Sequence, residues 1–393
     1  MATLKRRVGL WLLTAYGVGV MVGAGIYVLV GLVAGEAGGW APLSFLLAGL
    51  IVVPTALSYA EFSARIPEAA GEVAYAEAGF QSQISGILLG LAIVLVGAIS
   101  AAAVLRGGVG YAQVLFPINA LIATLVIGLA LTLVAAWGVM ESLTLAAIFT
   151  AIELIGLGLV IWAGFSAPAI TATATASPLV WSGLGAGAVL AFFAFIGFED
   201  IVNMAEEVRN PTRVLPRAIL ISLGLTTLIY ILVAAAAVRV VPVSQLSGSE
   251  QPLTLVWSMS TGGDATFLAG IAVFAALNGV LAQIVMASRV LFGLGRRTSV
   301  LSPFKQVSPR RQTPIRATVA VGGLVLALAL LVPIQPLAEA TSTILLAVFV
   351  LINAALILEK KRKPEAVFQV PMLVPIAGLV LAICAFGLSV FGG

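Results

Sequence analysis

Two kinds of residue in this chain of 393 amino acids have types and spacings that suggest chemistry: acids inside apolar runs, and glycines clustered in the middle of one. Glu153 sits in Ile152-Glu153-Leu154-Ile155-Gly156, and the pair Glu199-Asp200 follows Phe192-Phe193-Ala194-Phe195-Ile196-Gly197-Phe198. A carboxylate at membrane depth is costly, and such residues mark solute paths or proton carriers. The glycines are Gly17, Gly19, Gly23 and Gly25, within the first apolar run, Val8 to Val33. Glycine lowers the cost of leaving the helix, and an unwound turn frees backbone N–H and C=O groups. Facing a polar solute inside a bundle, those groups form a binding site, with an anion received at a half-helix N-terminus. Close packing of helices through small residues is the alternative. For the acid pair the alternative is a span that ends early. The next positive cluster begins only at Arg209, which keeps residues 199–200 at membrane depth and favours a broken helix.

The elements that must position these residues are membrane spans. Apolar residues make up 61% of the chain and charged residues 9%, with mean hydropathy +1.16. A soluble domain carries about 25% charged residues. The run after Lys5, Arg6 and Arg7 is too long for a signal peptide's apolar region and reads as a retained span. There is no histidine, and the single cysteine, Cys384, excludes an intramolecular disulfide. No cofactor or metal is expected, and the net charge of +4 concerns orientation rather than nucleic acid.

Eleven spans are expected, at about 9–33, 40–64, 84–106, 117–138, 142–165, 182–204, 215–240, 264–294, 314–333, 337–358 and 370–391. With the N-terminus cytoplasmic, 18 of the 20 Lys and Arg fall on inner segments, Arg106 and Arg239 being the exceptions. Positive residues concentrate on the cytoplasmic side, so the C-terminus is expected outside. An Ala/Thr-rich linker (166–177) and a longer connection, Pro242 to Asp264, then lie outside, the latter a plain loop or a lid. Spans one and six each carry a glycine-bearing break and each open a group of five. Five is odd, so the second group runs the opposite way: an inverted repeat with its site at the interface. The expectation is one transmembrane domain over 1–393, with repeats at about 8–165 and 182–358 and an extra helix at about 370–391.

Several segments resemble a known family. Gly23-Ala24-Gly25-Ile26-Tyr27 resembles a glycine-rich signature of amino acid–polyamine–organocation transporters. Arg65-Ile66-Pro67-Glu68-Ala69-Ala70-Gly71-Glu72-Val73-Ala74-Tyr75 resembles their first inner loop. Phe192 through Pro216, with Glu206-Glu207 and Asn210-Pro211, resembles their sixth span, and Ser288-Arg289-Val290-Leu291-Phe292 also fits. The resemblance covers nearly the whole chain, in order. It is closest in style to bacterial and archaeal members like the cationic amino acid transporters. It implies an all-α, leucine-transporter-like fold with a 5+5 inverted repeat and one extra helix. It also implies a multi-pass plasma-membrane carrier working by alternating access.

Carried over, a substrate α-carboxylate meets N–H groups at Gly23, Ala24 and Gly25, at the start of Ile26. Its α-ammonium meets carbonyls around Ala194, Phe195 and Ile196 beside Gly197, and that of Met21. Phe193 falls at an aromatic gate. Met21, Ala24, Phe193, Ala194 and Asn278 form a small, mostly apolar side-chain pocket, which implies neutral amino acids of small to medium size. The alternative is a cationic amino acid or polyamine, with Glu199 or Glu153 as counter-ion. Several proton-dependent members carry lysine where Glu153 stands, so their mechanism does not transfer. Burial favours the neutral form of an acid, which makes Glu153, and after it Glu199, the expected proton carriers, with sodium as the alternative ion. Ser100, Gln283, Ser342 and Thr343 are weaker cavity candidates, and Glu36 and Glu61 sit near span ends. An enzyme in the bundle would need a nucleophile–base pair or metal cluster, and a channel a continuous polar stripe; neither is visible. The partners implied are an amino acid, a proton and the bilayer.

Overall fold

The computed structural model describes residues 6–23, 25–68, 70–169, 179–249 and 251–391. Among them the regular structure is helical, apart from a single bridge between Val8 and Val208. The elements are α1 (Leu10–Val22), α2 (Gly25–Ala37), α3 (Ala41–Arg65), α4 (Gly71–Phe80), α5 (Gln83–Leu115), α6 (Ala120–Trp137), α7 (Val139–Ser166) and α8 (Trp181–Phe192). Then come α9 (Pro211–Val240), α10 (Val243–Ser247), α11 (Pro252–Thr261), α12 (Thr266–Arg297), α13 (Ile315–Leu331), α14 (Ile334–Arg362) and α15 (Leu373–Phe391). Two 3-10 segments, Phe193–Phe195 and Glu199–Glu207, continue the line of α8. Nine described segments are long and apolar enough to cross a bilayer, and Ile315–Leu331 and Leu373–Gly387 are shorter apolar helices. The connection from Pro242 to Asp264 contains α10 and α11, and most of the linker after Ser166 lies outside the described residues.

Large apolar side chains on the outer helices stay uncovered, among them Leu133, Ile155, Trp162 and Leu373. Apolar faces left open on every side are what a hydrocarbon solvent permits. Small residues bring the inner helices together. A Cβ on Gly108 would stand 2.6 Å from Ala276 Cβ, where α5 meets α12.

The packing pairs are reciprocal. α3 lies against α9 and α5 against α12. α1 and α2 touch α9, while α8 touches α3. α5 packs on α14, while α12 packs on α7. α4 packs on α14, and α11 on α7. α15 lies outside this scheme, against α3 and α14.

One end of the bundle gathers the basic residues and is tied by ion pairs. Arg297 binds Glu68 at 2.9 Å and Glu77 at 3.0 Å, and Arg296 binds Glu206 at 2.6 Å. Buried Glu61 accepts from Lys360 at 2.7 Å and from the backbone N–H of Val370 at 2.9 Å. The N–H groups of Arg7 and Val8 both donate to the Glu207 carbonyl at 2.9 Å, fastening the N-terminal lead-in to the end of the sixth span.

Candidate functional site

The site is built from the two interruptions. α1 ends at Val22, and Gly23 caps it by donating its N–H to the Gly19 carbonyl at 3.2 Å. α2 begins at Gly25, so its first N–H groups lack intrahelical acceptors. Ala24, between them, lies outside the described residues. On the other side, α8 ends at Phe192, a 3-10 turn follows, and Ile196 is extended. Gly197 has φ +122°, and a Cβ there would stand 2.7 Å from Val20 Cγ1. Only glycine satisfies both the dihedral and that approach. The contact also shows that the two breaks abut. Glu199 turns back and accepts the Gly197 N–H at 2.9 Å.

Tyr230 of α9 joins the breaks. Its hydroxyl lies 2.6 Å from the Met21 carbonyl and 2.8 Å from that of Ala194. Its ring stands edge-on to Phe45 and Phe195, with centroids 5.6 and 5.2 Å apart.

Beside the breaks is a cavity of about 260 Å³. Met21, Gly23, Gly25, Phe193, Ala194 and Ile196 line it from the two broken spans, with Val20. Ser100, Ala103 and Val104 of α5, Gly279 and Gln283 of α12, and Thr341 and Ser342 of α14 complete the wall. No charged side chain is among these residues.

Several expected site residues lie elsewhere. Ile26 and Phe195 are fully buried, Phe195 serving as packing for Tyr230. Gly197 faces Val20 rather than the cavity. Asn278 is turned away from the cavity, and Gly279 takes its place in the wall. Its amide donates to Glu153 Oε1 at 2.9 Å and to Thr150 Oγ1 at 3.0 Å. The N–H of Gly23, expected to meet substrate, already has a partner within the protein, and the carbonyls of Met21 and Ala194, expected to do the same, share the single Tyr230 hydroxyl.

Glu153 is fully buried in α7, and its Oε2 has no partner among the described residues. It belongs to a polar cluster pressed against α1: a Cβ on Gly19 would overlap both Thr150 Oγ1 and Asn278 Nδ2. Tyr230 and Gln283 are the residues that sequence reasoning undervalued. A tyrosine midway along the aliphatic span 215–240 was the signal for the first.

Two adjoining broken spans in a helical membrane protein, with a cavity beside them, are the arrangement on which many secondary carriers are built. The comparisons give the family. The amino acid permease family profile matches residues 8–392. The branched-chain amino acid permease BcaP of Bacillus subtilis is 30% identical, over 98% of this chain and 88% of that protein. Cationic amino acid transporter 4, vacuolar, of Arabidopsis thaliana is 30% identical over 90% of this chain and 63% of its own length, so the chain spans under two thirds of that relative. An uncharacterised transporter of Mycobacterium tuberculosis (strain H37Rv) is 30% identical over 98% of this chain and 87% of its own length. The chain belongs to the amino acid permease family, within the amino acid–polyamine–organocation superfamily, whose members are transporters rather than enzymes.

Proposed function

We propose that the protein is a secondary active transporter of neutral, small-to-medium amino acids, working by alternating access. The observation that carries the substrate class is the cavity wall, which presents methyl, aromatic, hydroxyl and amide groups and, among the described residues, no carboxylate. A cationic side chain buried there would lack the counter-charge its desolvation requires. The α-carboxylate sits at the open N-terminus of α2, around Gly25, and the α-ammonium at carbonyls of the second break, around Ile196. Phe193 closes the cavity on one side.

The reciprocal packing of α3 with α9, α5 with α12, and α4 and α11 with α14 and α7 supports a 5+5 inverted repeat, with α15 added. In this reading the basic end is cytoplasmic, which leaves the C-terminus outside, and the membrane is the plasma membrane. A proton is the coupling ion, taken up by Glu153 beside α1, where Thr150 and Asn278 press on Gly19. Glu199 is the second choice: each acid has one oxygen committed, to Asn278 and to Gly197, but Glu153 also keeps a buried oxygen with no partner among the described residues.

The name of the B. subtilis relative favours a neutral substrate, and that of the A. thaliana relative a cationic one. Competition against labelled isoleucine in proteoliposomes decides. Displacement by alanine, valine or leucine and not by lysine, arginine or putrescine is expected; the reverse order overturns the neutral reading. Glu153→Gln should still exchange substrate yet lose accumulation driven by a pH gradient. Accumulation that requires sodium, or that survives this change, removes Glu153 from the role.

A further inference from the structure

Below the cavity, toward the basic end, lies a second buried polar group, of which the transport reading uses only Glu199, as an alternative. Glu199, Asp200 and Asn203 belong to a 3-10 segment, in which residues three apart lie on one face. Asp200 and Asn203 are such a pair. Gln283, which lines the substrate cavity, donates to Asp200 Oδ2 at 2.5 Å. Asn203 donates to Glu72 Oε1 of α4 at 3.2 Å and accepts the Gly71 N–H at 3.1 Å. Polar side chains thus run from the cavity wall to α4, the helix next to the Arg297–Glu68 and Arg297–Glu77 ion pairs.

The group lacks a positive charge of its own. Tyr16 of α1, Tyr59 of α3 and Tyr75 of α4 face it, with Glu199 beside Asp200 and Glu68 near Tyr75. Arg289 of α12 is the cation at hand, and it is bound to Glu207 at 3.3 Å. Glu72 is fully buried, and its Oε2 has no partner among the described residues; the same holds for Gln283 Oε1. An acid oxygen with no donor, beside Glu199 and with Arg289 held by Glu207, fits a carboxylic acid better than a carboxylate.

We propose that Glu72 is a second proton-binding site, linked to the substrate cavity through Asn203, Asp200 and Gln283, whose protonation holds the basic end closed. The proposal rests on the transport reading above. Burial pushes the Glu72 carboxyl up from 4.5 to about 8, against the opposing pull of its own backbone N–H and the Asn203 amide. In the protonated state Glu72 faces Glu199 and Asp200 without like-charge repulsion, and α4 stays packed on the sixth span. Loss of the proton to water at the basic end leaves a carboxylate facing Glu199 and Asp200. Their repulsion drives α4 away from the sixth span and opens the path for substrate. Glu72 touches no substrate and acts as a positioning residue for that opening.

The test is counterflow of labelled isoleucine by the full chain in proteoliposomes, with equal pH on both sides. The exchange rate of the unaltered protein should rise at least roughly tenfold from about pH 6 to about pH 9, since an acid titrating at about 8 goes from about 1% to about 90% deprotonated over that range. Glu72→Gln, a permanent mimic of the protonated acid, should exchange at the low-pH rate throughout. Asn203→Ala removes a donor to the carboxylate and should move the midpoint upward, a shift that a merely structural role would not produce. If Glu72→Gln fails to fold, the Asn203→Ala midpoint decides alone. A Glu72→Gln profile that still rises with pH, or an unmoved Asn203→Ala midpoint, overturns the inference and leaves the transport reading intact. No counterflow of any amino acid by the unaltered protein overturns both.

Discussion

The Tyr230 hydroxyl lies 2.6 Å from the Met21 carbonyl, and the same oxygen is 2.8 Å from the carbonyl of Ala194. Met21 belongs to the last turn of α1 and Ala194 to the 3-10 turn after α8, so one side chain from α9 bridges both breaks. A hydroxyl has one proton and donates to one carbonyl at a time. Tyr230→Phe leaves both carbonyls without that partner, a loss of about 1–3 kcal/mol. The expected result is a lower unfolding temperature in detergent and about tenfold weaker isoleucine binding. Binding and stability equal to those of the unaltered protein would show that the bridge is incidental.

Two glycines of the first span should respond differently to alanine. At Gly25 the nearest atoms to an added Cβ, Ala194 Cα and Leu29 Cδ1, are 3.8 Å away, an ordinary contact. At Gly19 the Cβ would overlap Thr150 and Asn278, which hold Glu153. Gly25→Ala should therefore fold normally and weaken binding by intruding on the cavity. Gly19→Ala should cost about 1–3 kcal/mol of stability through overpacking. Monodispersity and thermal unfolding of the two purified variants check this; equal unfolding temperatures contradict it.

Phe193 lines two cavities at once. One is the cavity of about 260 Å³ beside the breaks; the other, about 320 Å³, is walled by Ile51, Leu346, Leu381 and Cys384 on the α15 side. Phe193→Ala should join them. Bulky substrates then gain room, and the ratio of phenylalanine to alanine uptake should rise. A ratio unchanged or lowered would place the selective wall elsewhere.

Glu72 also predicts how stability follows pH. Its carboxyl is raised in the folded protein from 4.5 to about 8, so the folded state holds this proton more tightly than the unfolded chain. The stabilisation is fully present below 4.5 and is lost as pH rises through about 8. Unfolding temperature should fall across that window, and Glu72→Gln should fall less. A parallel decline in both proteins would assign the pH dependence to other groups.

Sequence alone determined what depends on local chemistry and on the bilayer. Long apolar runs, the clustering of Arg and Lys, and Gly23, Gly25 and Gly197 inside spans report burial in lipid and loss of helix directly. Family membership followed from motifs spread along the chain. The tertiary structure decided which side of each span lines the cavity. Successive residues on a helix point about 100° apart. Asn278 therefore turns to Glu153 while Gly279 forms the cavity wall, and Phe193 faces the cavity while Phe195 packs on Tyr230. The bridge from Tyr230 to Met21 and Ala194, and the link from Gln283 through Asp200 and Asn203 to Glu72, join residues far apart in the chain. Such contacts exist only once the spans have packed, because no local pattern encodes the rotation of one helix about its axis relative to another.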